Sequence, residues 1–210
     1  MSGGDTRKER PVSFQGLELL PGHLYVLAHL KKAGVDYAKM MAKMSELELP
    51  LIEGAIKDLI EVGLIERDSG SAIKRSRARF KKAFEVHKHH TYYRLSRAGE
   101  LFLRSIDEHW LRDYFNSLLP GGWDVVRALT KARSFNELPE ELRNDRIREE
   151  LVLHRFITPN GRKTAFFKLL AEFLGITPRL LFQFSLQRTF PGSFSSRRPS
   201  PHHRSSGPGL

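Results

Sequence analysis

Apolar positions recur at helical spacing three times in the first sixty residues. In PGHLYVLAHLKKAG, Leu24, Leu27, Ala28 and Leu30, with Tyr25 nearby, form one stripe between Pro21 and Gly34. Proline suits the start of such a helix and glycine its stop. In VDYAKMMAKMSE, Tyr37, Met40, Met41 and Met44 lie three and four apart, which predicts a second short helix with Asp36 as a cap or first-turn acid. PLIEGAIKDLIEVG predicts a third, with Pro50 at the first helical position, Ile52, Ala55, Ile56, Leu59 and Ile60 as the buried face, and Gly63 as the end. The apolar pair Leu64-Ile65 then opens a strand, and Thr91, Tyr92, Tyr93 and Leu95 in HTYYRLS give a return strand. Three short helices followed by a strand pair is the order of a helix-turn-helix with a wing.

Ser96 is placed to cap a helix running through SRAGELFLRSIDEHWLRDYFNSLL, with Leu101, Phe102, Ile106, Trp110, Tyr114 and Leu118 on its apolar face. Trp110 and Tyr114 suit either a dimer contact or an internal core against Phe166 and Phe173. From Gly121 the pattern predicts a helix in GWDVVRALTKA and a short element in SFNELPEEL. A helix passing into a strand follows in NDRIREELVLHRFI, then a turn and an apolar helix in TPNGRKTAFFKLLAEFLG. Leu95-Ser-Arg-Ala-Gly99 and Ile157-Thr-Pro-Asn-Gly161 each place Ser or Thr three residues ahead of Gly at a strand-to-helix junction. Two readings of the second region stay open: an all-helical accessory region, or a reduced second winged helix. The expected organisation is a flexible leader over 1–18, a winged helix-turn-helix domain with a long basic wing insertion over 19–119, a helical accessory region over 121–186, and a disordered basic tail over 187–210. The tail is rich in Ser, Pro, Gly and Arg and has too little apolar surface to order itself. The fold class expected is mainly α with a small β wing.

Charge sharpens this picture. The chain has 35 Lys and Arg against 24 Asp and Glu. Lys74, Arg75, Arg77, Arg79, Lys81, Lys82, Lys88 and Arg94 crowd the connection between the two strands, opposed by Glu85 alone, and Arg188, Arg197, Arg198 and Arg204 stand unopposed in the tail. Charge concentrated in this way marks a polyanion-binding surface. Lysine and arginine there neutralise phosphates and release counterions, and the arginine fork also suits a narrow minor groove. The third helix offers Lys57 among Glu53, Asp58 and Glu61, after Glu46 and Glu48, so as a group it repels phosphate. The expectation is therefore contact led by the basic segment, with Lys57 a minor contributor. Lys31 and Lys32 suit either a phosphate contact or the first helix's dipole. Tyr92 and Tyr93 suit base stacking or packing within the strand. Ile73, Phe80 and Phe84 recur at seven and four, which favours a helix in the basic connection over a long flexible wing.

Other chemistry is sparse. Cysteine is absent, so there is no disulfide, thiolate nucleophile or cysteine-ligated zinc. His87, His89 and His90 with Glu85 are the one cluster resembling metal ligands, and their spacing matches no strong site; a pH-responsive phosphate contact is the other use for them. Phosphate loops, dinucleotide fingerprints and nucleophile elbows are missing, so neither an enzyme nor a cofactor is expected. Asp107, Glu108 and His109 are successive and point different ways. MSGGDTRKERP lacks a secretory pattern, and no uncharged apolar run approaches bilayer length, so a soluble, cytoplasmic protein without a membrane partner is expected.

HLYVLAHLKKAGVDYAKMMAKM, LIEVGLIER and SGSAIKRSRARFKKAFEVHKHHTYYRLSRAGE resemble a small archaeal family of winged-helix proteins of unknown function, over about residues 20–104. The stretch from His87 to Tyr93 is the most specific part. The resemblance implies a winged-helix fold and a loose relation to archaeal transcription regulators; it implies no ligand and no catalytic residue. Residues and resemblance together lead to an expectation of nucleic-acid binding, with duplex DNA the partner, a role in transcription regulation, and a homodimer matched to palindromic sites. A protein-interaction module in a larger assembly and an RNA-binding protein are the alternatives.

Overall fold

A computed structural model describes residues 12–68 and 90–176. The protein is mainly α-helical with two small antiparallel sheets. The first sheet is a hairpin of β1 (Ser13–Phe14) and β2 (Leu17–Glu18), turned by Gln15 and Gly16 at φ 48° and 86°. This hairpin falls within the leader expected over 1–18, of which residues 1–11 lie outside the described residues. Phe14 meets Phe102 edge-on at 5.2 Å and Leu19 is buried, so this short stretch has core contacts that hold it.

Helix α1 (Pro21–Ala33) is buried along most of its length and carries two buried histidines. His23 Nδ1 accepts the Leu20 backbone N–H at 2.9 Å, which leaves Nε2 to face Asp58 on the third helix at 3.2 Å. His29 Nε2 lies 2.8 Å from Asp36. Both interactions tie the central helix to neighbouring elements. Tyr25 donates to the Met41 carbonyl, and burial pushes its hydroxyl up to about 12.

Strand β3 (Val35–Tyr37) precedes helices α2 (Ala38–Ser45) and α3 (Leu49–Glu61). Tyr37, expected in the second helix, is a strand residue. Asp36 anchors it there by accepting the Tyr37 N–H at 2.8 Å while its other oxygen holds His29. Strand β4 (Ile65–Arg67) follows α3, and β5 (Tyr92–Leu95) returns between β3 and β4, in the order β3-β5-β4 with both pairings antiparallel. The register sets Glu66 and Val35 opposite Arg94, and Ile65 opposite Leu95.

Ser96 caps helix α4 (Arg97–Ser105), accepting the Gly99 N–H at 3.0 Å. A Cβ on Gly99 would stand 2.0 Å from the Leu64 carbonyl oxygen, so only glycine lets α4 approach the sheet this closely. The single long helix expected after Ser96 is two helices. Asp107 turns its carboxylate back to accept the Trp110 N–H and starts α5 (Glu108–Leu118). A short polar side chain that satisfies a free N–H of a new first turn ends the old helix there. Helix α6 (Gly122–Lys131) packs on α5, then two single 3-10 turns (Phe135–Glu137 and Glu140–Leu142) lead to α7 (Asp145–Leu153) and α8 (Ala165–Phe173).

One cluster of buried side chains runs from α1 to α8. Tyr25 meets Phe166 at 5.6 Å and Phe173 at 6.1 Å. Trp110 stacks on Tyr114 at 5.2 Å, and Phe115, Phe156, Phe166 and Phe167 continue the ring contacts. Trp110 and Tyr114 are therefore used internally, and Tyr114's hydroxyl is held neutral well above its ordinary range by burial. Lys32 also bridges the halves, 2.6 Å from Glu172 and 4.7 Å above the Phe173 ring centre. Among the described residues no helix is long and apolar enough to cross a membrane.

Candidate nucleic-acid interface

The basic connection leaves and rejoins the three-stranded sheet at one tip. Beyond the last strand pair, Asp68 donates its N–H to the Tyr92 carbonyl at 2.8 Å, so the ends of the connection are held side by side. Seven of the expected contact residues, Lys74, Arg75, Arg77, Arg79, Lys81, Lys82 and Lys88, lie outside the described residues, as do Ile73, Phe80, Phe84, Glu85, His87, His89 and the tail arginines. Their charge is nonetheless informative. The described residues hold 20 Lys and Arg against 21 Asp and Glu, so the whole surplus of the chain belongs to segments 1–11, 69–89 and 177–210.

The two remaining expected contacts sit in acidic surroundings. Arg94 pairs with Glu66 at 2.6 Å and lies 3.8 Å from Asp68. Lys57 is exposed on α3 with Glu53 one turn before it and Glu61 one turn after it. Lys31 is exposed at the end of α1, whereas Lys32 is held by Glu172. The aromatic residues of β5 pack within the fold. Tyr93 lies against the core, Tyr92 meets Tyr37 at 5.4 Å, and His90 stacks on Tyr37 at 4.4 Å with rings 9° from parallel. Burial, then the neighbouring Tyr37 and Asp36, raises the Tyr92 hydroxyl above its usual range. Among the described residues no group of three His, Asp or Glu could hold a metal ion.

A second tip, where the sequence pattern gave an echo of the first but no candidate contact, lies between α7 and α8. Ser134 bridges Arg162, and Ile157 bridges Lys163, both antiparallel. Thr158 and Arg162 close a turn through Pro159, Asn160 and Gly161, with Thr158 N–H donating to the Arg162 carbonyl at 2.8 Å. Arg148 on α7 donates to the Pro159 carbonyl at 2.8 Å. Lys163 turns inward and donates to the Thr130 carbonyl at 3.1 Å; burial, and then Lys168, lowers its pKa, while Glu137 opposes them. The signal was present in TPNGRK, a turn motif followed at once by two cations and lacking an acid.

Residues 14–106 match the family DUF2250, described as an uncharacterized protein conserved in archaea, and over that span the chain is similar to it. The match encloses the segment where the sequence resemblance lay and stops before α5. No curated protein and no solved structure matches the chain. The family's description carries no DNA-binding, winged-helix, helix-turn-helix or transcription term. The expected label of a DNA-binding winged-helix, helix-turn-helix transcription regulator is therefore corrected to what is supported: similarity over residues 14–106 to an archaeal, uncharacterised family, and a mainly α-helical fold with small antiparallel sheets.

Proposed function

We propose that the protein binds nucleic acid by its phosphate backbone, through the cations of the segment between β4 and β5. One observation carries this reading: the described part of the chain is close to neutral, so the net charge of +11 resides in segments outside it, with 69–89 inserted at the sheet tip. A solvated surface of a basic protein would spread its surplus of lysines and arginines along the whole sequence. Here the unmatched cations gather in short stretches of it, and clustered cations gain most where closely spaced phosphates shed their counterions. Arg94 is neutralised by Glu66, so the contacts are assigned to Lys74, Arg75, Arg77, Arg79, Lys81, Lys82 and Lys88.

Fluorescence anisotropy with labelled duplex DNA, and with an RNA of matched length, tests this at two salt concentrations. The expected result is binding that weakens steeply with salt and is lost when Arg75, Arg77, Arg79, Lys81 and Lys82 are all Ala in a chain with unchanged circular dichroism. Absence of binding by the unaltered protein at low salt would overturn it. A protein partner is the second reading, favoured by α3, which exposes Leu51, 46% exposed, together with Glu53 and Glu61.

A further inference from the structure

The two sheet tips share a backbone plan in detail. After α3, Gly63 takes φ 73°, the Leu64 N–H reaches back to the Leu59 carbonyl at 2.9 Å, and the Leu64 carbonyl accepts from Ser96 N–H at 3.1 Å. After α7, Arg155 takes φ 60°, the Phe156 N–H reaches back to the Leu151 carbonyl at 2.8 Å, and the Phe156 carbonyl accepts from Thr164 N–H at 3.1 Å. Ser96 Oγ donates to the Gly63 carbonyl and caps α4; Thr164 Oγ1 donates to the Arg155 carbonyl and caps α8. The strand pairings follow suit. Val35 and Glu66 flank Arg94, as Ser134 and Thr158 flank Arg162. Ser96 thus corresponds to Thr164, and Arg94 to Arg162. The sequence echo between Ser96-to-Gly99 and Thr158-to-Gly161 joined the wrong positions, since Thr158 opens a hairpin turn and Thr164 is the cap.

The chemistry at corresponding positions differs. Arg94 faces Glu66 and has Asp68 within 3.8 Å. In the second tip the place of Glu66 is taken by Thr158, whose hydroxyl accepts the Arg162 N–H at 3.2 Å, and the place of Asp68 by Asn160. Arg162 is exposed and has no ion pair among the described residues. Arg148 reaches the same turn from α7. Asp145 and Glu149 line a shallow groove with Arg148 and Pro159.

We infer that the second tip is a second phosphate contact for the nucleic acid held by the first, with Arg162 its anchor; this rests on the nucleic-acid reading above. A repeated unit presents the same edge twice, and here the second copy has an arginine with Thr158 and Asn160 at the positions where the first has the acids that bind Arg94. An arginine of this kind offers its fork to phosphate without first breaking an ion pair.

The test uses the full chain and labelled duplex DNA across a salt series. Arg162→Ala is expected to weaken binding about three- to tenfold at low salt and to reduce the slope of log K against log salt by about 0.9, the value for one lost phosphate contact. The pair Thr158→Glu with Asn160→Asp restores the acids of the first tip and is expected to do the same with Arg162 still in place. Arg112→Ala removes one charge from a surface pair on α5 and is expected to change the slope by less than a third as much. Unchanged melting temperatures certify the folds. If Arg162→Ala and the acidic pair both bind like the unaltered protein, the second tip is not a contact and the nucleic-acid reading survives. If the unaltered protein fails to bind, that reading falls first and this inference with it.

Discussion

Twenty-seven residues separate Glu66 from Arg94 at the first sheet tip, and three separate Thr158 from Arg162 at the second. The strand pairs of the first and the isolated bridges of the second follow the same antiparallel register, and the helices that follow are capped alike. A turn of three residues is therefore enough to close this arrangement of backbone. The first tip has far more chain than this closure takes, and its residues 69–89 carry seven of the chain's 35 Lys and Arg. That surplus of length and charge is what the proposed nucleic-acid contact rests on.

Substitutions at corresponding positions separate what the two regions share from what they do not. The largest effect is expected at Phe156, fully buried among Phe115, Phe166 and Phe167. Phe156→Ala should cost about 3–5 kcal/mol, and Leu64→Ala at the matching position about 2–5 kcal/mol. Urea unfolding should show one cooperative transition in each case, because the two positions belong to one core. Separate transitions would mean that the halves fold independently. The caps come next: Ser96→Ala and Thr164→Ala should each cost about 1 kcal/mol by the same measurement. A difference of several-fold between them would break the correspondence.

A gain is expected at Arg155. It holds a left-handed conformation where the first region has Gly63. Arg155→Gly should stabilise the protein by about 0.5–1 kcal/mol, seen as a higher urea midpoint. The smallest effect concerns pH. Burial lowers the pKa of His154 below its ordinary 6.5, against the pull of Glu150. The unfolded chain then takes up the proton first, so stability is full above 6.5 and falls as the pH drops through that value toward the folded pKa. His154→Val, which copies Val62 of the first region, should lose less stability than the unaltered protein between neutral and mildly acidic pH in paired thermal melts.

Much of the helical frame was legible. The apolar stripes of α1 and α3, Pro50 at the start of α3, the strand at Tyr92–Leu95 and the cap at Ser96 follow from local spacing and single-residue chemistry. The misses share a cause: each depended on a partner distant in sequence or on one polar side chain outweighing periodicity. Tyr37 fits a helical stripe, but β5 claims it for the sheet. Asp107 sits in an apolar pattern that runs on without it, yet its capping bond splits the helix. His23 and His29 look like interruptions of a stripe until Asp58 and Asp36 are brought beside them. At the candidate interface, the charge run was visible at once. That Arg94 is neutralised could not be read from it, because Glu66 lies on another strand. The echo between the two tips was visible in the sequence but aligned Ser96 with Thr158, because the true correspondence of Ser96 with Thr164 lies in hydrogen bonds rather than in residue identity.

The most direct measurement uses a chain in which residues 69–91 are replaced by Asn-Gly. Asp68 and Tyr92 are already paired, so this two-residue turn closes the hairpin in its existing register. Its melting temperature and its affinity for labelled duplex DNA at low salt would be set against those of the unaltered protein. The account predicts a folded chain that melts within a few degrees of the original and has lost most of its binding. A shortened chain that binds as tightly as the original would contradict it.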